Sequence, residues 1–126
     1  MTSQSAKIIV TRSSYKTIDK IGRTLMHIIT RSRLVEFWGQ YANAKTGLLL
    51  WYGLTSSASW QNLVELHEVF PSADLVRNFT VFNVGGNKYR LITFVDYKYQ
   101  KVFIRHLLTH AEYDREDWKR DEWYDN

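Results

Sequence analysis

The chain has no cysteine, so disulfides and thiolate metal sites are excluded and the sequence suits a reducing cytosol. It has a single proline, Pro71, whose ring and missing donor end whatever helix precedes it. No apolar run approaches the roughly 20 residues that a membrane span needs, and Ile8-Ile9-Val10 is too short for the core of a signal peptide. The four histidines lack metal-ligand spacing, so neither metal nor cofactor is expected. Gly85-Gly86-Asn87-Lys88 is not a phosphate loop, because that pattern needs an earlier glycine, a following Ser or Thr, and a strand-to-helix setting. Repeats and low-complexity tracts are absent as well. At 126 residues one domain with one core is expected.

The net charge of +4 is distributed unevenly. Residues 1–25 carry five basic side chains against Asp19, so the remaining residues sum to zero. Within that neutral remainder, residues 77–105 hold Arg77, Lys88, Arg90, Lys98, Lys101 and Arg105 against Asp96 alone. Residues 111–126 hold seven acids against three bases. A basic sheet beside an acidic tail therefore hides under a neutral sum, and local sign is what steers a phosphate-bearing ligand.

Residues 1–24 are rich in Ser, Thr, Lys and Arg with little apolar periodicity, and are expected to form a basic mobile extension. The second methionine, Met26, stands directly before the first strand-like run. Two explanations stay open: translation starts naturally at Met26, or the extension is a genuine basic tail with weak RNA affinity. Leu25–Ile29 is β-branched and predicts a strand. Ser32 can cap a helix in which Leu34, Phe37, Trp38 and Tyr41 share a face. A second helix is expected over Thr46–Thr55. A third, over Trp60–Phe70, would be capped by Ser59, with Leu63, Leu66, His67 and Phe70 on one side. Three apolar runs follow, Thr80–Val84, Tyr89–Val95 and Val102–Leu108, the first two separated by Gly85-Gly86-Asn87. Glycine-rich turns between β-branched and aromatic runs are the strongest local hairpin signal, so a three-stranded meander is expected. Arg115–Tyr124 reads as a short helix or fraying tail. The expected fold is α+β: a small antiparallel sheet of the N-terminal strand and the meander, with two or three helices on one face. The other face can stay open, and the basic side chains belong there.

Strand parity separates the candidate residues. Lys88 and Arg90, two apart, share one face, while Tyr89 and Leu91 share the core face. Arg90 suits phosphate clamping, because its planar fork grips two oxygens and stays charged; the competing role is a solvated charge or an ion pair. Lys88 and Arg105 are open in the same way, and Arg105 lies nominally with Phe103 and Leu107. His110 titrates in the range useful to a general acid or base, or else it caps its loop. Tyr113 suits base stacking or proton transfer, and its competing role, the simpler one, is a packed core. His106 fits either a cleft or a partly buried scaffold position. Lys98 and Lys101 are candidate RNA contacts. Glu112 and Asp114 fit an acidic helix N-terminus, favoured by the macrodipole. His27 and His67 are expected to be scaffold. Most of the aromatic residues fall at helical spacing, which favours core packing over base stacking.

The strings Phe82–Leu91, Ile104-Arg105 and Thr109–Asp114 together resemble the HigB toxins of bacterial type II toxin–antitoxin modules. Met26–Thr30, Trp51-Tyr52, Trp60 and Phe70–Asp74 resemble the same family upstream. The resemblance covers about residues 26–119, leaving 1–24 as the extension and 120–126 as an acidic tail. It implies a RelE-like fold and endoribonuclease cleavage of messenger RNA, on the translating ribosome, in the cytoplasm. It also implies neutralisation by a HigA-like helix-turn-helix antitoxin, through which alone DNA would be contacted. Arg90, Lys88, His110 and Tyr113 would then be catalytic, and Arg105, Lys98, Lys101 and His106 would bind RNA. Metal-independent cleavage needs only alignment of the 2′-hydroxyl, proton transfer and fixed positive charge. A non-catalytic RNA- or ribosome-binding module on the same sheet is the competing reading, and a pure protein-interaction domain is another.

Overall fold

A computed structural model of the chain describes residues 7–10 and 15–125, with side chains from Thr17 onward. Its frame is a five-stranded sheet in the order β3-β7-β6-β5-β4. The central strands are β5 (Phe79–Val84), β6 (Tyr89–Asp96) and β7 (Lys101–Thr109), the expected meander. Short β4 (Asp74–Val76) adds an unpredicted edge, antiparallel to β5. β3 (His27–Ile29) closes the other edge and runs parallel to β7, so the sheet is mixed rather than wholly antiparallel. A parallel pair needs a long crossover, and the three helices between β3 and β4 lie in the stretch that separates it. The expected extension, residues 1–24, lies in part outside the described residues. Within it β1 (Lys7–Val10) and β2 (Tyr15–Ile18) pair antiparallel.

Helices α1 (Arg31–Gln40), α2 (Lys45–Ser56) and α3 (Leu63–Val69) pack on one sheet face. Their apolar residues come at helical spacing, so Leu34, Leu48, Trp51 and Leu66 turn inward and are almost fully buried. Against them stand Phe82, Val84, Tyr89, Leu91, Val102 and Ile104 from the strands. Two caps differ from expectation. Thr30 rather than Ser32 opens α1, and no side chain caps it. α3 starts at Leu63 behind Asn62, whose side chain accepts the Glu65 N–H, while Ser59 instead donates to the Thr24 carbonyl. Ser59 reaches another segment, so it cannot close the helix.

The opposite face is not open. Phe79, Val81 and Ile92 carry a second apolar cluster there, covered by Trp118 with Tyr113, Trp123 and Tyr124 of the C-terminal segment. That segment is α4 (His110–Asp114) followed by a 3-10 turn (Asp117–Arg120). The tryptophans explain the difference: an acidic tail that carries Trp118 and Trp123 has apolar area to bury, and the sheet offers Phe79 and Phe94 to receive it.

Candidate active site

The hairpin turn between β5 and β6 sets one end of the site. Gly85, Gly86 and Asn87 all take positive φ (+66°, +62° and +73°), which a glycine pair followed by asparagine tolerates. A Cβ on Gly85 would lie 2.8 Å from the Tyr89 ring. The turn is buttressed from below by α2, where Gly47 lets the helix approach so closely that a Cβ there would meet Val84 Cγ1 at 2.8 Å and Gly85 N at 2.9 Å. Lys88 leaves this turn exposed, and its carbonyl accepts the His110 N–H at 3.0 Å. Since Tyr89 pairs with Thr109, the start of β6 and the end of β7 meet at one corner.

Four of the expected residues gather there: Lys88, Arg90, His110 and Tyr113. The parity expected for β6 holds, with Tyr89 and Leu91 in the helix-side core and Arg90 on the opposite face. The surroundings of Arg90 are unexpected, because it is only 8% exposed. Its Nη1 donates to the carbonyls of Asn87 (3.0 Å) and Tyr89 (3.2 Å), and its guanidinium carbon lies 5.4 Å from the Tyr113 ring centroid. Arg23, Arg105 and Arg115 each pair with a carboxylate, whereas Arg90 forms no ion pair among the described residues. A buried cation held by dipoles and an aromatic face, without a counterion, is a site that an anion would complete.

His110 begins α4, whose first turn is fixed by a capping box between Thr109 and Glu112. Glu112 is thus a structural acid, as its place in the first turn suggested. Asp114 is different: its Oδ2 lies 2.9 Å from His110 Nδ1. A carboxylate on Nδ1 favours the tautomer with the proton there and leaves Nε2 to accept another. Tyr113 stacks on Trp118 at 5.0 Å between centroids and 10° between planes. Burial, with the nearby charge of Asp74, pushes its phenol above the usual range, so it stays protonated.

From sequence, Asp114 stands only as part of an acidic helix N-terminus, not as the partner of His110, and Asn83 is not singled out. His110 and Asp114 are four apart, the spacing that brings helical side chains together, and that signal was present. Asn83 is the direct cross-strand partner of Arg90 and is exposed, which only the hairpin register reveals.

The other expected residues lie elsewhere. Arg105 and His106 sit mid-strand on the second face, both bound to Asp121. Arg105 makes a fork to both carboxylate oxygens (2.9 and 2.7 Å), and His106 Nε2 lies 2.8 Å from Oδ2. Consecutive strand residues normally point to opposite faces. Here the β6–β7 register slips between Ile92–His106 and Thr93–Ile104, leaving Arg105 as the extra residue of a bulge, and both side chains turn the same way. Burial works to raise the Asp121 carboxyl, but Arg105, the Trp123 N–H and His106 outweigh it and hold the group at about 2. Burial also lowers His106, more than Asp121 raises it. Trp123 covers the Arg105 guanidinium at 3.8 Å. Lys98 and Lys101 lie at the far end of β7. His67 is scaffold, its Nε2 lying 2.8 Å from the Ala73 carbonyl.

This is a small α+β protein that holds a cationic corner, with a histidine–aspartate pair, at one end of its sheet. The HigB toxin family, the RelE-like toxic component of a toxin–antitoxin system, matches residues 44–116. The mRNA interferase toxin HigB of Escherichia coli strain K12 is 36% identical over 92 residues, covering 71% of this chain and 88% of its own length. The mRNA interferase HigB of Shigella flexneri gives the same figures. That of Escherichia coli O6:H1 is 29% identical over 93 residues, covering 71% of this chain and 90% of its own. The chain belongs to the HigB family of RelE-like toxins, the family its hairpin and corner strings resemble.

Proposed function

We propose that this protein is the toxin of a toxin–antitoxin module and acts as an endoribonuclease on messenger RNA, with the Lys88–Arg90–His110–Tyr113 corner as its active site. The observation that carries the site assignment is Arg90, buried at 8% exposure and without a carboxylate partner among the described residues. A scissile phosphate supplies the missing charge, and a guanidinium already oriented by two carbonyls needs little reorganisation to stabilise the extra charge of a phosphorane.

The reaction balances without any further reagent. The 2′-hydroxyl oxygen attacks the adjacent phosphorus while its proton passes to His110 Nε2. The new P–O2′ bond forms as the P–O5′ bond breaks, leaving a 2′,3′-cyclic phosphate. Tyr113, kept protonated by burial, donates to the departing 5′-oxygen; His110 then gives its proton to solvent and Tyr113 takes one from it, which restores both groups. Lys88, exposed on the turn, draws in the phosphate backbone. Asp114 positions His110 rather than touching the substrate.

The ribosome supplies messenger RNA threaded in extended form, and a HigA-like helix-turn-helix antitoxin covers the toxin; DNA is reached only through that partner. Among the described residues no helix is long and apolar enough to cross a membrane, and we place the reaction in the cytoplasm. Arg90→Ala is expected to abolish growth arrest on induction while leaving the circular dichroism spectrum unchanged. Undiminished arrest by the folded variant would remove Arg90 from the site. Co-purification with the product of a neighbouring helix-turn-helix gene tests the partner.

A further inference from the structure

A cavity of about 740 Å³ lies at the opposite end of the sheet from the proposed active site, within the size range of small-ligand pockets. Its rim includes Arg23, His27, Lys98, Tyr99 and Lys101, and its wall is built from the buried Leu25 and Met26. Three of the lining side chains are cations, and no carboxylate lines it among the described residues. Neither Lys98 nor Lys101 forms an ion pair among the described residues, whereas the cations of the C-terminal segment, Arg115 and Lys119, do. Tyr99 is 62% exposed, and Lys98 Nζ stands 5.3 Å from its ring centroid. An exposed aromatic face beside unpaired ammonium groups is the combination that holds single-stranded nucleic acid, by stacking a base and neutralising its phosphates.

The position matters as much as the composition. Thr109 pairs with Tyr89 at the active-site end of β7, and Lys101 pairs with His27 at the cavity end. Eight residues of extended strand separate them, about 26 Å. A mononucleotide cannot span that distance, whereas one RNA strand running over the surface of the molecule can reach both ends.

We propose that this cavity is a second RNA contact, in which Tyr99 stacks on a base and Lys98 and Lys101 hold the adjoining phosphates of the strand being cut. The inference rests on the ribonuclease reading above and adds to it a distal subsite that sets substrate length and grip. Lys98, Tyr99 and Lys101 then act on binding rather than on chemistry.

The test uses the full chain with 2′-O-methyl oligonucleotides, which lack the attacking hydroxyl and stay intact. One oligonucleotide is too short to leave the active-site corner; the other is long enough to reach the cavity. Anisotropy titrations compare wild type with the triple variant Lys98→Ala, Tyr99→Ala, Lys101→Ala. Affinity for the long strand is expected to fall by roughly tenfold or more, its salt slope to shrink by about 1.4, at roughly 0.7 for each lysine removed, and the short strand to bind as before. Should the triple variant fold poorly, the single exposed change Lys98→Glu must weaken the long strand in the same direction. If wild type cuts messenger RNA and binds the long strand, yet the variants bind it equally well, the cavity is no RNA subsite and the ribonuclease reading stands. If wild type neither cuts nor binds RNA, both fall together.

Discussion

Arg90 and Arg105 show how the same side chain takes opposite roles on one sheet face. Arg105 spends its fork on Asp121 and its face on Trp123, so its charge is matched within the fold. Arg90 meets the carbonyls of Asn87 and Tyr89 and the ring of Tyr113, forms no ion pair among the described residues, and keeps unmatched charge in a corner that also contains His110. Parity along β6 was readable, because alternation sends Tyr89 and Leu91 one way and Arg90 the other. The role of Arg105 was not, because a bulge in β7 breaks the alternation just there and nothing in the local string announces it. Nor does any local signal say that Asp121, sixteen residues on, would claim it. The His110–Asp114 pair leads to a prediction at this scale. If His110 is the base proposed above, His110→Ala is expected to lower the cleavage rate by about 10²-fold or more. Asp114→Asn, which only loosens the tautomer and orientation, is expected to cost roughly tenfold and to alter the pH profile of the rate with little change in KM. Single-turnover cleavage across pH separates the two, and equal losses would mean that Asp114 does more than position the ring.

Among the elements, α2 and the C-terminal segment hold the corner from two sides. The α2 contact runs through Gly47, where a methyl group has no room beside Val84 and the Gly85 backbone. Gly47→Ala would ordinarily favour a helix, yet it is expected to destabilise this protein by about 1–3 kcal/mol through overpacking. Urea unfolding measures it; a neutral or stabilising result would show that the turn yields easily. The C-terminal contact runs through Asp121. Its folded carboxyl sits at about 2, below the ordinary 3.8. The unfolded chain therefore takes up that proton first as pH falls. The stabilisation, about 2 kcal/mol, is full above about pH 4 and lost between about pH 4 and 2. His106, lowered by burial, acts in the same direction at higher pH: its contribution fades as pH falls through the ordinary histidine range near 6.5. Asp121→Asn is expected to lower stability at neutral pH and to flatten the acid limb below pH 4. Chemical denaturation at several pH values reads both. The meander and the three helices on the first sheet face were legible from turn residues and periodicity, whereas α4 was expected further on, over Arg115–Tyr124. The covered second face was not, because charge dominates the composition of residues 111–126 while two tryptophans decide its fate.

For the molecule as a whole, separation of charge is the organising feature. The acidic C-terminal segment neutralises the middle of the sheet, leaving positive charge unmatched at its two ends, the Lys88–Arg90 corner and the Lys98–Lys101 rim. Binding of uncleavable RNA is accordingly expected to weaken steeply with salt, with a log–log slope of about −2 to −4, at roughly −0.7 for each phosphate neutralised. A slope near zero would mean that the ends do not engage the backbone.

The most direct measurement is induced expression of wild type and Arg90→Ala side by side, with primer extension on a few abundant messages. Wild type is expected to arrest growth and leave discrete cuts inside translated regions, while Arg90→Ala accumulates as folded protein and leaves the messages whole. Equal cutting by the two proteins, or growth arrest by wild type with every message intact, would contradict the account of this corner as a ribonuclease site.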